Sequence, residues 1–206
     1  MKELLGRPLL FDRTTNTFET AELFQNLDDK TFEDFETLWR PALQARTAQF
    51  ASWGEAADAN SQDSHWDWVK VAKEAERLMQ YETFCVECAG QTQGLMLVNL
   101  SKFAQHEVHR GREIAYVELL ATAPWNRPKF VPTPKYKGVG QVLLATAISL
   151  SVDQGFKGRL GLHSLPQSVT WYASSGAFTD CGFDAEKKMQ YFEMTESQAA
   201  AFLTTK

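Results

Sequence analysis

The sequence predicts a mixed α/β fold of the α+β class, on three observations. Apolar residues recur at helical spacing between residues 30 and 80, where Pro41 interrupts the first helical segment. From Tyr81 onward, short apolar runs bounded by turn residues predict strands. Finally, Gly138 and Gly140 open a second apolar helical run. The predicted order is therefore β-α-α-β-β-β-α-β-α-β-β.

The first eighty residues are predicted to hold two strands and two helices. Short apolar runs at 8–11 and 18–24 flank the turn-forming Thr14-Thr15-Asn16 and predict strands. Helical spacing predicts a helix over 30–50, kinked or divided at Pro41, and a second over 65–80. A polar loop at 52–63 separates them, and Asp63 or Ser64 is the predicted N-cap of the second helix.

The remaining elements follow from turn signals. A hairpin turn at 90–93 separates the first two of these strands, and Gly155 is a natural left-handed cap for the glycine-led helix. The continuous apolar centre of 113–122 predicts a strand buried on both faces. The predicted strands are 81–89, 94–100, 113–122, 159–164, 177–183 and 188–194, and the predicted helices are 140–154, 167–175 and 197–203.

Length and composition favour one globular domain, 1–206. No apolar run is long enough to span a bilayer and Met1–Gly6 lacks a signal-peptide core, so we expect a cytoplasmic protein without a membrane partner. Cys85 and Cys88 form a CxxC within a predicted strand, where residues three apart face opposite sides. No second ligand pair accompanies them, so we expect no metal.

Charge is uneven along the chain. Residues 1–80 carry 15 acidic and 9 basic side chains, and the net charge is -5. Nucleic-acid binders show the opposite balance, so we expect no nucleic acid. A cationic partner fits this half, although a solvated acidic surface would look the same.

The glycine turn has the marks of a phosphate site. Gly138 and Gly140 allow a tight turn whose N–H groups, at the start of a helix, attract anions. No acidic residue occurs from Leu119 to Ser151, whereas Lys135 and Lys137 are basic. An ordinary surface turn is the alternative. A dinucleotide fingerprint is excluded, because Leu143 stands where its third glycine belongs.

Three segments in this order resemble the GNAT superfamily of acyl-CoA-dependent N-acetyltransferases. Lys135-Tyr136-Lys137-Gly138-Val139-Gly140 is similar to the family's Arg/Gln-x-x-Gly-x-Gly/Ala signature. The strand end 118–124 and the segment 171–178 resemble two further family motifs. The likeness covers 81–194. It departs at Lys135, at Ala177 where the family often has Phe, and in a connection about eight residues longer than the family's common form.

The resemblance implies a fold and a domain organisation. The fold is a central, mostly antiparallel twisted sheet of about six to seven strands with helices on both faces. Residues 1–80 would supply acceptor-side helices and N-terminal strands, and 81–194 the acetyl-CoA-binding core. Many relatives are dimers, so a homodimer is consistent with the resemblance.

The resemblance also implies acetyl-CoA as co-substrate. Its pyrophosphate would lie on the backbone N–H groups of 136–140, beside two lysines, and its pantetheine arm would pair with the end of the preceding strand. The implied cofactor-binding residues are Leu120, Ala121, Thr122, Lys135, Tyr136, Lys137, Gly138, Val139 and Gly140.

Catalysis needs a base, because an alkylamine is protonated at pH 7 and only the neutral amine attacks a thioester. Glu118 is the first candidate, since burial in its apolar strand would raise its pKa, and His163 is the second. Tyr172 aligns with the family tyrosine that protonates the CoA thiolate. A salt-bridged Glu118 and a core Tyr172 are the structural alternatives.

The acceptor is expected to be a primary amine of a small, cationic molecule or a peptide. Trp66 and Trp68, with Glu118, are the candidate acceptor-binding residues, since aromatic rings and a carboxylate can hold a cation. Tryptophans at helical spacing are also typical of a core. The alternative function is a non-catalytic acyl-CoA-binding sensor or scaffold.

Overall fold

The computed structural model describes residues 2–53 and 62–204, which form a mixed α/β fold. An eight-stranded, mostly antiparallel sheet and a three-stranded sheet are accompanied by helices. The predicted fold class is confirmed, with eight strands in the main sheet instead of six to seven. None of the helices in the described ranges is both long and apolar enough to cross a membrane.

The elements are numbered here in chain order. The strands are β1 Glu3–Gly6, β2 Leu9–Asp12, β3 Thr17–Thr20, β4 Glu22–Gln25, β5 Tyr81–Cys88, β6 Gln91–Phe103, β7 Glu113–Thr122, β8 Tyr136–Lys137, β9 Leu160–Ser164, β10 Thr179–Asp184 and β11 Met189–Met194. The helices are α1 Asp29–Asp34, α2 Arg40–Ser52, α3 Trp68–Ala75, α4 Val139–Asp153, α5 Val169–Ser174 and α6 Glu196–Thr204, with a π-helix Phe35–Trp39 and 3₁₀ turns Pro124–Asn126 and Pro166–Ser168.

The strand order of the main sheet is β1-β4-β5-β6-β7-β9-β11-β10. β7 and β9 pair in parallel, from Ala115 opposite Leu160 to Val117 opposite Leu162. The pairs β1–β4, β4–β5, β9–β11 and β10–β11 are antiparallel. The small sheet has the order β3-β2-β8, so β2 lies beside the strand that leads into the glycine turn.

The predicted strand 18–24 is two strands, and this accounts for part of the larger sheet. The break falls at Ala21, which is fully buried and donates its N–H to the Pro8 carbonyl at 2.8 Å. β3, before the break, joins the small sheet, whereas β4, after it, joins the main sheet between β1 and β5.

The predicted interruption at Pro41 is confirmed. α1 and α2 are joined end to end by the π-helix, whose Phe35 carbonyl accepts the N–H of Arg40, five residues later. Pro41 has no N–H to continue the ordinary helical pattern, so the wider turn falls immediately before it. The π-helix turns Phe35 and Trp39 into the core, where they are 2% and 1% exposed.

The predicted N-cap of α3 is wrong. The helix begins at Trp68, and Asp67 is its N-cap, accepting the N–H of Lys70 at 3.0 Å. Asp63 instead forms a two-pronged ion pair with Arg127, with N–O distances of 3.0 and 2.7 Å. Both side chains are largely buried, at 4% and 12% exposed. The Asp63 carboxylate therefore binds the distant Arg127 guanidinium and does not cap the helix. Residues 54–61 of the predicted loop lie outside the described residues.

We expect Asp63→Asn to lower the free energy of unfolding by about 2 kcal/mol, because an amide N–H₂ would face the buried guanidinium of Arg127. The measurement is urea denaturation of the full chain. Asp67→Asn is the control, since asparagine caps a helix as well as aspartate does. Equal midpoints for the two variants would contradict the prediction.

Contacts divide the chain into two compact units. Unit 1 comprises Met1–Leu97 and Leu119–Leu143, and unit 2 comprises Val98–Glu118 and Leu144–Lys206. In unit 1, Leu95 and Leu97 of β6 lie in one hydrophobic cluster with side chains of the π-helix, α2 and α3. Gly94, on the other face of β6, lies under α4, where an added Cβ would come within 2.5 Å of Val139. Helices therefore cover both faces of this part of the sheet.

Candidate active site

In unit 1, the glycine turn leads directly into α4. The Gly138 carbonyl accepts the N–H of Val142 at 2.9 Å, so Gly138 is the last residue before the helix. Its φ of +106° is a backbone conformation that residues with a side chain rarely adopt. A Cβ added at Gly140 would meet nothing within 4 Å. The first N–H groups of α4 have no partner inside a helix, and they lie next to a position where a side chain would meet no other atom.

Backbone and side-chain hydrogen bonds hold the turn in place. β8 pairs with β2, with Lys137 opposite Phe11. On the other side, Lys135 donates its N–H to the Trp125 carbonyl at 3.0 Å, and Tyr136 donates to the Asn126 side chain at 2.9 Å. The long connection after β7 is therefore packed against the turn that it leads into.

Charge around the turn is less one-sided than the sequence suggests. The Tyr136 hydroxyl donates to Glu19 at 2.9 Å, and Asp12 lies opposite Tyr136 in the sheet register. Hydrogen bonds from Thr14, with the Lys135 charge as a smaller cause, lower the pKa of Asp12 below its ordinary value, so it is ionised at neutral pH. Lys135 lies over the Tyr136 ring at 4.8 Å, and Lys137 is exposed. The segment without acids in sequence therefore has two acids beside it in space.

The end of β7 presents one backbone edge to β6 and another away from it. Ala123 donates its N–H to the Gln93 carbonyl at 2.9 Å, which fixes the edge facing β6. By strand alternation, the backbone groups of the adjacent Thr122 face the opposite edge. There, Arg127 donates to the Thr122 carbonyl at 2.7 Å. The buried pair of Arg127 and Asp63 thus also fixes the strand end.

The candidate acceptor tryptophans lie together, but not as an open cage. Trp68 is 1% exposed within the hydrophobic cluster of unit 1. Trp66 packs against it with ring centres 6.1 Å apart and is partly buried. Phe130, from the proline-rich segment 128–134, is buried edge-on against Phe50. Trp68 is therefore a core residue, and a role in acceptor binding stays a prediction that rests mainly on Trp66.

In unit 2, Glu118 is half-buried and its position is fixed. Its carboxylate accepts a hydrogen bond from the Asn99 amide at 2.9 Å. Asn99 is itself buried, and its carbonyl oxygen accepts from the Ser101 N–H and hydroxyl at 2.9 and 2.8 Å. This pairing assigns the amide nitrogen to Glu118. No basic side chain neutralises Glu118 among the ion pairs of the described residues, so the salt-bridge alternative is not supported.

His163, the second candidate base, has both ring nitrogens engaged. Nδ1 lies 2.5 Å from the Tyr116 hydroxyl, and Nε2 lies 3.0 Å from an Asp184 oxygen. Lys187 donates to the same Tyr116 hydroxyl at 3.0 Å. Burial, and after it the charge of Lys187, lowers the pKa of His163 below its ordinary value. Both ring nitrogens of His163 therefore contact protein groups, and a substrate proton would reach the imidazole through one of them.

Tyr172 lies in an aromatic core. Its ring is 9% exposed and packs against Trp171, Phe178 and Phe192 at centroid distances of 4.9, 5.2 and 5.6 Å. Burial raises the pKa of Tyr172, so the hydroxyl keeps its proton at neutral pH. This packing agrees with the alternative that Tyr172 is a core residue. Its role as the proton donor to the CoA thiolate stays a prediction.

The cysteines behave as strand residues. Cys85 lies in the hydrophobic cluster near Thr31, whereas Cys88 faces Glu19, so the two thiols point to opposite sides as expected. Burial raises the pKa of Cys85 to about 11, which leaves it a neutral thiol. Across residues 2–53 and 62–204, no group of three or more His, Cys, Asp or Glu is placed to hold a metal.

Sequence reasoning missed Asn99, Tyr116, Asp184 and Lys187. Of these four, Tyr116 could have been found from the sequence. It lies two residues before Glu118 in a predicted strand, and residues two apart share one face. Asp184 and Lys187 lie at the β10–β11 turn, and only the order of β9, β11 and β10 in the sheet brings them to His163.

Comparisons with solved structures agree with this architecture. The chain matches a PaiA N-acetyltransferase from Thermoplasma acidophilum in complex with coenzyme A, at 13% identity and a TM-score of 0.52, over 85% of this chain and 98% of that chain. It also matches a structure described as a bacterial toxin, at 14% identity and a TM-score of 0.51, over 65% of this chain and 78% of the other. No family model matches the sequence, and no curated protein sequence gives a significant match. At these identities the likeness is one of fold: the chain has the fold of the GNAT N-acetyltransferases.

Proposed function

We propose that this protein is an acetyl-CoA-dependent N-acetyltransferase that transfers an acetyl group directly to a primary amine of a small, cationic molecule or a peptide. The observation that carries the proposal is the glycine-led N-terminus of α4 in this fold, where Gly138 has a φ of +106° and a Cβ added at Gly140 would meet nothing within 4 Å. The solved PaiA N-acetyltransferase of the same fold is described in complex with coenzyme A. A cytoplasmic location is part of the proposal and stays a prediction.

The proposed cofactor residues all belong to unit 1. The Tyr136 N–H of the implied set 136–140 already donates to Asn126, so we assign the pyrophosphate to the N–H groups nearer the helix start, where the dipole favours anions. Lys137 is exposed for a phosphate. The pantetheine amides would pair with the backbone edge of Leu120–Thr122. Because Arg127 already bonds the Thr122 carbonyl, we assign the main share of that pairing to Leu120.

The proposed catalytic residues belong to unit 2. Glu118 is the base that removes the proton from the acceptor ammonium, and the Asn99 amide holds its carboxylate in one orientation. The neutral nitrogen then attacks the thioester carbon and the C–S bond breaks. The new amide nitrogen loses its second proton to water, and the thiolate takes a proton, for which Tyr172 is the candidate donor. Trp66 and Trp68 remain the candidate acceptor-side aromatics.

A second candidate function is a non-catalytic acyl-CoA-binding module. The buried state of Trp68 and Tyr172 favours it, since each packs as an ordinary core residue. Both functions require the same cofactor contacts in unit 1. They differ only in whether an amine is turned over.

The test combines a thermal shift with an amine panel. Acetyl-CoA should raise the unfolding midpoint under either function. Only an enzyme should release free CoA thiol with primary amines such as polyamines, aminosugars or lysine peptides. Stabilisation without thiol release across the panel would favour the binding module. Absence of stabilisation would overturn both.

A further inference from the structure

The Lys187 side chain occupies a site built for a primary ammonium. The residue lies in the turn between β10 and β11 and is exposed. Its Nζ donates to the Tyr116 hydroxyl at 3.0 Å and lies 4.9 Å from the centre of the Tyr116 ring. An aromatic face with an adjacent acceptor is a recurrent way to bind an alkylammonium group.

The network behind Tyr116 fixes its hydroxyl as an acceptor toward this site. An ammonium can only donate, so Tyr116 accepts from Lys187 and must direct its own hydrogen to His163 Nδ1. His163 then carries its hydrogen on Nε2 and donates it to Asp184. Asp184 is locked in turn by the N–H groups of Glu186 and Lys187 at 2.9 and 3.0 Å.

Negative charge also surrounds the site. Asp184 is ionised at neutral pH, since hydrogen bonds from the Lys187 N–H and from His163 lower its pKa. Glu118 is close enough to act electrostatically on both Tyr116 and His163. A cation is therefore favoured here over a neutral or anionic group.

We propose that the Tyr116 ring and hydroxyl form the subsite for the acceptor's primary ammonium, and that Lys187 fills this subsite in the free protein. The acceptor class is then an unbranched primary alkylamine like the lysine side chain itself. Lys187 acts as a built-in competitor that an acceptor must displace. The biological role of the subsite rests on the proposed acetyltransferase function, but its ligand binding does not.

The subsite should be sensitive to pH. Five groups face His163: Tyr116 and Glu118 from β7, Tyr191 from β11, Asp184 from β10, and Lys187 from the turn. Protonation at Nδ1 would remove the acceptor for the Tyr116 hydrogen and add a positive charge beside the bound cation. Since the pKa of His163 is lowered, ammonium binding should persist at neutral pH and fall only below His163's ordinary titration range near pH 6.5.

The test uses n-butylamine, protonated at pH 7.5, as the probe and the full-length chain as receptor. Binding is followed by the NMR signals of the Tyr116 ring and the His163 imidazole. Lys187→Met should bind the probe at least about fivefold more tightly than the unmodified protein, because a tethered competitor acts at a millimolar effective concentration. The neighbouring exposed Lys188→Met is the matched control and should behave like the unmodified protein.

Other variants and readouts separate the outcomes. Adding Tyr116→Phe to Lys187→Met should abolish most of the gain, since the ring stays and the acceptor is lost. Equal binding by Lys187→Met and Lys188→Met, or binding that leaves Tyr116 and His163 unperturbed, would overturn the subsite. The acetyl-CoA thermal shift is measured on the same proteins. A subsite that binds butylammonium in a protein without that shift would stand while the acetyltransferase proposal falls.

Discussion

Gly140→Asp should remove the stabilisation that acetyl-CoA gives to this protein while leaving the free protein at least as stable. The glycine lies in the first turn of α4, and a Cβ there meets nothing within 4 Å. Replacing a helical glycine recovers up to about 1 kcal/mol, and a carboxylate in the first turn interacts favourably with the dipole. The same carboxylate would occupy the space assigned to the pyrophosphate.

The expected loss of affinity is about hundredfold, near 3 kcal/mol, for like charges held a few ångströms apart at a protein surface. At a ligand concentration of one hundred times the original dissociation constant, the stabilisation should fall from about 2.7 to about 0.4 kcal/mol. The measurement is the unfolding midpoint with and without acetyl-CoA.

Gly140→Asn is the matched control, with the same shape and no charge. It should keep part of the acetyl-CoA shift, since it adds bulk but no repulsion. If Gly140→Asp retains the full shift, the anion does not lie on this helix end and the cofactor assignment fails. Gly138 is less suitable for the test, because its φ of +106° makes any side chain strained before a ligand is considered.

Local patterns made much of the fold predictable. β7 occupies the predicted 113–122, and α4 begins within one residue of the predicted start, because Gly138 and Gly155 mark its ends through their own backbone preferences. The division at Pro41 was equally predictable from local sequence. Proline has no N–H to donate to a helical hydrogen bond, and this does not depend on the rest of the chain.

Long-range partners were not predictable in this way. Asp63 has the sequence of a helix cap, but Arg127, 64 residues away, binds it instead. Asp12 and Glu19 lie beside the glycine turn only because β2 pairs with β8 and Tyr136 reaches Glu19. A charge count along the chain cannot register such pairings.

The same limit applies to the candidate site. Tryptophans at 66 and 68 are compatible with a cage or a core, and only the packing of α3 places Trp68 among apolar side chains. Glu118 could be singled out as an acid in an apolar strand. Its orientation could not, because Asn99 reaches it from the neighbouring strand β6.

Glu118→Gln should lower kcat/KM for a primary amine by about 10²–10⁴-fold near pH 7, the range typical of a lost general base. Glutamine has nearly the same shape and keeps a carbonyl oxygen for the Asn99 amide, so the local structure should persist. What is lost is the capacity to take a proton. Because cofactor contacts are assigned elsewhere, the acetyl-CoA thermal shift should not change.

The deficit should shrink as pH rises toward the acceptor's own pKa, about 10.4 for a lysine-like amine, since the neutral amine then no longer needs a base. Glu113→Gln is the control, an exposed acid at the start of the same strand, and should retain full activity. A deficit that is constant with pH would mean that Glu118 positions the acceptor without taking its proton. Full activity in Glu118→Gln, with loss in both Tyr116→Phe and His163→Gln, would transfer the role of base to the Tyr116–His163 pair. In that pair the tyrosine hydroxyl lies 2.5 Å from Nδ1 of the imidazole.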